Sequence, residues 1–206
     1  MLLAQKNFVA AGCEAELYHY HDEMILKLFY KKIPNKEIDV VYRKHLASEH
    51  IAGVCSLLGR GIEKRTGREY LLFKYIEGRS LADITYQRSL TLSEALLLLK
   101  KTAGIMVEMH GAGVIHGDIH AENIMMDRHG SITLIDLFRK ERKMSDDIVD
   151  LCRLFHEVYY DDSGASPMIR DLFPKKRDAV LRRYQDIKML EKKIQIFREE
   201  ASYECK

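Results

Sequence analysis

The chain lacks the usual marks of an oxidising compartment, a membrane or a highly charged partner. Its four cysteines, Cys13, Cys55, Cys152 and Cys205, are scattered without a C-x-x-C pair, which excludes the common zinc spacings and a secreted disulfide framework. They read as reduced thiols, mostly core filler. No run approaches the ~20 apolar residues of a membrane span. The start, MLLAQKNF, has no basic region followed by an apolar stretch of signal-peptide length. The expected location is therefore the cytoplasm, either of its own cell or of a host if a specialised apparatus injects the chain. Charge of one sign is missing too: 33 Lys plus Arg against 31 Asp plus Glu leave +2, so no whole-molecule field points to nucleic acid or a membrane surface. There is no internal repeat and no low-complexity tract, and nothing specifies an oligomer.

What is present is a core-forming composition, with 47% apolar and 31% charged residues. A length of 206 residues suits one domain or two small lobes sharing a cleft. From Phe8 to Leu28 short apolar runs alternate with turn signals, which predicts an antiparallel strand series. From Asn35 to Leu58 the spacing becomes helical, placing Ile38, Val41, His45, Ser48, Glu49 and Ala52 on one face. Strands follow around Gly59–Glu63 and Tyr70–Tyr75, joined by the polar turn Lys64–Glu69.

Beyond Gly78 the pattern is mainly helical. Thr91-Leu92-Ser93-Glu94 is a capping pattern opening a buried helix to His110. A loop, Gly111–Asn123, leads to short strands at Ile124–Met126 and Ile132–Ile135. Ser145 is expected to cap a helix to about Tyr160, and Lys175–Glu200 sets Val180, Tyr184, Ile187, Ile194 and Phe197 on one stripe. The basic excess of that tail reads as a solvated helix face rather than a nucleic-acid contact.

The chemistry sits in His116-Gly117-Asp118-Ile119-His120-Ala121-Glu122-Asn123, followed thirteen residues later by Asp136. An Asp on a loop, an Asn five residues on, and a second Asp at the end of the next hairpin converge when two short strands reverse the chain. Such a trio can accept a hydroxyl proton with one carboxylate and hold Mg²⁺ with the amide oxygen and the other. A competing metal cluster of His110, His116, His120 and Asp118 fits no usual zinc spacing.

This run resembles the catalytic loop of the protein-kinase superfamily, H-x-D-x-x-x-x-N followed by D-F-G, in the form H-G-D of its small atypical members. The nearest are the minimal kinase of the tRNA-threonylcarbamoyl assembly, the aminoglycoside and choline phosphotransferases, and short bacterial effector kinases. The resemblance covers Val9 to about Phe155. It implies Asp118 as catalytic base, with Asn123 and Asp136 as Mg²⁺ ligands. It implies Lys27 as the phosphate-holding lysine, paired with Glu49 on the following helix. It also implies Gly12 in the loop over the phosphates, with Phe73, Lys74 and Ile76 in the strand and hinge that hold adenine, Phe73 being the gatekeeper.

The expected fold is α+β, a two-lobed minimal protein-kinase-like fold: residues 1–77 as a small antiparallel sheet with one helix, 78–206 as a reduced, mainly helical lobe. The implied function is ATP- and Mg²⁺-dependent phosphoryl transfer by a constitutively active serine/threonine protein kinase. The alternatives are a small-molecule kinase and a pseudokinase acting as a binding module. A protein acceptor is favoured, since such small-molecule kinases build their acceptor pocket from a large helical insertion. Three departures bear on this. Only Gly12 remains of the glycine loop, Asp136-Leu137-Phe138-Arg139 stands for D-F-G, and Gly117 replaces the arginine that reads an activation-loop phosphate. Asp150, separated from Asp136 by thirteen residues, is the expected anchor of the loop's backbone.

Overall fold

The computed structural model describes residues 7–21, 23–159 and 167–203. The early apolar runs pair as three consecutive antiparallel strands, β1 (Phe8–Ala11), β2 (Ala15–His19) and β3 (Met24–Phe29). With β4 (Leu57–Glu63) and β5 (Arg68–Lys74) they form a sheet of order β1-β2-β3-β5-β4. The turn between β4 and β5 is held by Glu63, which accepts the Thr66 backbone N–H at 2.8 Å and its hydroxyl at 2.6 Å. The central strand is β3, where Lys27 lies opposite Leu17 on one side and Leu71 on the other. A lysine there has apolar neighbours and is largely withdrawn from water.

Helix α1 (Asn35–Ala47) connects β3 to β4 and buries Ile38 and Val41 against Ala15, Phe29 and Leu71. It is shorter than its periodicity predicts. Ser48 Oγ turns back to the carbonyls of Lys44 at 2.8 Å and His45 at 3.4 Å, and the chain leaves the helix there. A hydroxyl that competes for helix carbonyls favours such an exit.

A Cβ on Gly78 would collide with the Met126 carbonyl oxygen, so the chain crosses against the hairpin of residues 124–134 at a point only glycine fits. Past it come β6 (Arg79–Ser80), α2 (Leu81–Gln87) and α3 (Leu92–Gly111). The cap of α3 forms as expected: Glu94 accepts the Thr91 N–H at 2.8 Å and donates its own N–H to the Thr91 hydroxyl at 3.3 Å. Strands β7 (Ile124–Met126) and β8 (Ile132–Leu134) pair as a hairpin, with β6 on the outer edge of β7. The hairpin is stitched to the connection before β4, because Leu134 N–H donates to Gly53 O at 2.7 Å and Cys55 N–H to Leu134 O at 2.9 Å. Those two bonds bring the end of β8, and hence Asp136, under the five-stranded sheet.

Four helices complete the described chain: α4 (Met144–Val158), α5 (Pro167–Leu172), α6 (Arg177–Arg183) and α7 (Ile187–Tyr203). The first of these begins before Ser145, closed by Asp146 accepting the Lys143 N–H at 2.9 Å; the expected end at Tyr160 lies outside the described residues. The single stripe expected over Lys175–Glu200 is two helices. Tyr184 ends the first, its hydroxyl on Leu172 O at 2.6 Å, and Asp186 caps the second through the Met189 N–H at 2.9 Å. Val180, Tyr184, Ile187 and Ile194 remain buried in one core with α3 and α4, and Phe155 stacks on Phe173 at 4.2 Å. The chain is thus an α+β fold, a small antiparallel sheet followed by a helical part. Among the described residues no helix is long and apolar enough to cross a membrane.

Candidate active site

Asp118 lies on the loop after α3, Asn123 closes the 3₁₀ turn Ala121–Asn123, and Asp136 lies two residues past the end of β8. The loop is held from three sides. His116 is fully buried; its Nε2 lies 3.0 Å from the Ile135 carbonyl and its Nδ1 3.3 Å from the Asp118 N–H. A carbonyl only accepts, so Nε2 carries the proton and Nδ1 receives the Asp118 N–H. Burial pushes the His116 pKa down, which fits this neutral tautomer. One imidazole thereby joins the residue before Asp136 to the backbone of Asp118.

The second hold is Asp147, in the first turn of α4. Its carboxylate is buried and accepts the N–H of His116 at 3.0 Å and of Gly117 at 2.7 Å, with His110 Nε2 at 2.9 Å. This corrects the assignment of the anchor to Asp150. That residue stands one turn on, pairs with Arg153 at 3.3 Å, and has its pKa raised to about 6 by burial. The third hold is Asn123, whose Nδ2 donates to the Asp118 carbonyl at 2.9 Å and lies 2.8 Å from His120 Nε2. With the amide nitrogen so committed, Oδ1 is the atom left to bind a ligand.

Gly117 has φ +84, and a Cβ there would meet Arg142 Cγ at 2.8 Å and Phe138 Cβ at 3.1 Å. The arginine of regulated kinases cannot stand in this conformation without cost, because the left-handed region penalises any side chain and this space is filled. Asp136 is the only non-glycine besides His21 with positive φ among the described residues, at φ +60. In that conformation its carboxylate meets Lys27 Nζ in an ion pair across the cleft.

Above these groups lies a cavity of about 380 Å³ walled by Gly12, Lys27, Phe73, Lys74, Ile76 and Asp136. Its other walls include Ala15, Leu17, Ile25, Val41, His45 and Met125. Apolar walls with a lysine and a carboxylate at one end suit a flat aromatic base carrying phosphates. Lys27 is only 11% exposed in its side chain, whereas Asp118 and Asp136 are each 47% exposed, open to an incoming ligand. The Asp136 carboxylate and the Asn123 amide oxygen are hard donors of the kind Mg²⁺ takes, and they are the groups that would hold it. No group of three or more His, Cys, Asp or Glu among the described residues could hold a metal, so the His110, His116, His120 and Asp118 cluster does not form.

The structure gathers Gly12, Lys27, Phe73, Lys74, Ile76 and Asp136 round one cavity and sets Asp118 against Asn123 on the neighbouring loop, while Glu49 joins neither group. That residue lies beyond the end of α1, exposed, and does not reach Lys27. The periodicity that put it on the helix face runs on past Ser48, where the helix has already stopped. Val41 and His45 occupy the helix positions facing the cavity instead. Spacing to the catalytic-loop motif did not single out three further residues. Asp147 is the loop anchor, His45 is a cavity wall, and Arg139 bridges Glu14 of the β1–β2 turn at 2.5 Å and Glu37 of α1.

A model of the protein kinase domain matches residues 22–147. The chain is similar to the serine/threonine-protein kinase shk1/pak1 of Schizosaccharomyces pombe, 25% identical over 142 residues, which covers 65% of this chain and 21% of that protein. It is also similar to the serine/threonine-protein kinases STE20 of Yarrowia lipolytica and Saccharomyces cerevisiae. Each is 31% identical over 70 residues, covering 34% of this chain and 6% and 8% of those proteins. The chain thus spans about a fifth or less of the length of these curated relatives. Since the kinase model runs from the β2–β3 turn to the Asp147 anchor, more than half of the sequence, the chain belongs to the protein kinase domain family.

Proposed function

We propose that this chain is an ATP- and Mg²⁺-dependent serine/threonine protein kinase of a minimal, two-lobed form, divided at Gly78 into residues 1–77 and 78–206. The observation that carries the reading is the ion pair of Lys27 with Asp136 in the wall of one cavity, joined through the Ile135 N–H on Asn123 O at 3.0 Å to the loop on which Asn123 and Asp118 meet. Lys27 holds phosphate oxygens, and Asp118 accepts the proton of the acceptor hydroxyl. Asn123 Oδ1 and Asp136 hold the metal. Mg²⁺, when bound, supplies neutralisation of the charge spread over the transferring phosphoryl group. Phe73, Lys74 and Ile76 wall the base, and Gly12 lies over the phosphate end. The H-G-D loop supports a likeness to the small atypical kinases, and the similarity to serine/threonine-protein kinases favours a protein hydroxyl as acceptor. Work in the cytoplasm suits the free Cys13, Cys55 and Cys152; burial pushes the thiols of Cys55 and Cys152 up to about 12.

Activity as synthesised is part of the same reading. Only ten residues, Leu137 to Asp146, lie between Asp136 and the anchor Asp147. This short segment is already docked: Lys44 Nζ donates to Phe138 O at 2.8 Å, and Arg139 pairs with Glu37 and Glu14. In regulated kinases an added phosphate supplies such pairing. The test is label transfer from γ-labelled ATP with Mg²⁺ to generic protein acceptors, to aminoglycosides and to choline, before and after phosphatase treatment. The expected result is phosphate on Ser or Thr, unchanged by the phosphatase and lowered ~10²-fold or more in folded Asp118→Ala and Asp136→Ala variants. Nucleotide binding without any transfer would establish the binding-module alternative, and label on a small molecule alone the small-molecule one.

A further inference from the structure

The lysine at the centre of the site has no carboxylate from α1 to orient it. That helix contains two acids, and both are engaged elsewhere: Glu37 with Arg139, and Asp39 with Arg60 at 2.6 Å. Glu49 lies beyond the helix and is exposed. Lys27 is instead paired with Asp136, the residue assigned above to the metal. When Asp136 turns to a cation, a mostly buried ammonium needs another acceptor, because an unpaired charge in a low-dielectric wall is costly.

The wall supplies one candidate. His45, in the last turn of α1, is 2% exposed and lines the same cavity as Lys27 and Asp136. Its Nδ1 is 3.1 Å from the Cys55 carbonyl, so Nδ1 carries the proton and Nε2 presents a lone pair. That Nε2 has no hydrogen-bond partner within the protein although it is buried. The ring packs against Phe73 at 4.9 Å, which fixes its plane. Burial lowers the His45 pKa to about 4, so it stands neutral, an acceptor rather than a second cation beside Lys27. Buried polar atoms without partners are uncommon and mark places where another group is meant to arrive.

We propose that His45 is a positioning residue for Lys27, its Nε2 supplying from α1 the acceptor that holds the lysine ammonium toward the phosphates when Asp136 engages metal. This rests on the kinase reading above and assigns to an imidazole the place that Glu49 does not reach. The role is exerted through Lys27, so it disappears when Lys27 does.

Two substitutions separate this role from a merely structural one. In His45→Asn the side-chain amide nitrogen falls where Nδ1 was, keeping the tie to Cys55 O while removing Nε2. In His45→Gln the side-chain oxygen falls where Nε2 was, keeping the acceptor while dropping that tie. The full chain is assayed by melting, by the dissociation constant of a fluorescent ATP analogue in the presence of Mg²⁺, and by KM and kcat for ATP with Mg²⁺. His45→Asn should melt near wild type yet weaken analogue binding and raise KM for ATP about tenfold, the worth of a hydrogen bond to a charged group. His45→Gln should remain within about threefold of wild type in both, since its acceptor is intact. On a Lys27→Met background, His45→Asn should change nothing further.

Wild-type affinity in His45→Asn, or an equal loss whether or not Lys27 is present, would overturn the proposal. If His45→Asn fails to fold, His45→Gln decides alone: near-wild-type affinity supports the acceptor role, and a large loss assigns His45 to the Cys55 tie. A wild-type chain that binds no ATP analogue overturns the nucleotide site itself, and this role with it. Analogue binding without phosphoryl transfer leaves the binding arms of the test in force.

Discussion

Replacing Asp147 by asparagine tests whether the catalytic loop is held from α4. The buried carboxylate accepts two backbone N–H groups, those of His116 and Gly117, and faces His110 Nε2. Asparagine retains one oxygen but turns an N–H₂ toward a second donor, so at least one buried N–H loses its partner and the charge assistance is lost. An unsatisfied buried donor costs about 1–3 kcal/mol, and hydrogen bonds to a charged group are worth about 1.5–3 kcal/mol. The expected destabilisation is therefore about 3 kcal/mol, a fall in melting temperature of about 6–12 °C for a domain of this size.

Turnover should fall further than stability alone explains, because Gly117 precedes Asp118 and a displacement of ~1 Å at a reacting group commonly costs ~10²-fold. Calorimetry at pH 7.5 reads the first quantity, and label transfer well below the melting point reads the second. Asp150→Asn is the control, one turn away without a backbone N–H to hold. An Asp147→Asn chain that melts within about 2 °C of wild type, or no lower than Asp150→Asn, would refute the anchoring argument.

Two further outcomes follow from the same loop. Gly117→Ala should lower the melting temperature by about 3–8 °C and reduce turnover, since it combines a left-handed residue, worth about 1–2 kcal/mol, with a Cβ pressed on Arg142 and Phe138; unchanged melting would show that the loop can relax. Asp150 binds its proton more firmly in the folded chain, its pKa raised to about 6 by burial first and by Asp147 and Asp118, so its neutral form contributes stability below the unfolded pKa of 3.8 that is lost as pH rises through about 6. Asp150→Asn should accordingly melt higher than wild type at pH 7.5 and alike near pH 4, and a gain that does not shrink on acidification would show that the carboxylate's charge is not the cause.

The features legible in the sequence are those written locally. Short apolar runs between turn signals mark β1 to β3, the Thr91–Glu94 box marks the start of α3, and the spacing of Asp118, Asn123 and Asp136 marks the candidate site because a short hairpin leaves their convergence little freedom. The errors fall where a long-range contact chooses among equivalent residues. Asp146, Asp147 and Asp150 all sit on one helix, and only docking against His116 and Gly117, some thirty residues upstream, selects Asp147. A signal was present: Asp147 begins the stripe Asp147, Leu151, Phe155 and Val158 at four-, four- and three-residue spacing, all buried, so its carboxylate had to face the interior and be satisfied there.

Glu49 fails for the opposite reason, since periodicity cannot register where a helix stops. Ser48 carries that information in its chemistry rather than its spacing, its hydroxyl returning to the Lys44 and His45 carbonyls. The same reasoning applies at Asp186, a capping residue placed just ahead of α7 that divides what hydrophobic spacing alone would join. Once α1 ends at Ala47, its cavity-facing positions fall to Val41 and His45, and an unpartnered imidazole nitrogen stands where a carboxylate was expected. On the proposal made above, the lysine of the site is thereby left between two acceptors of different strength, a carboxylate that a cation can draw away and an imidazole whose Nε2 has no other partner.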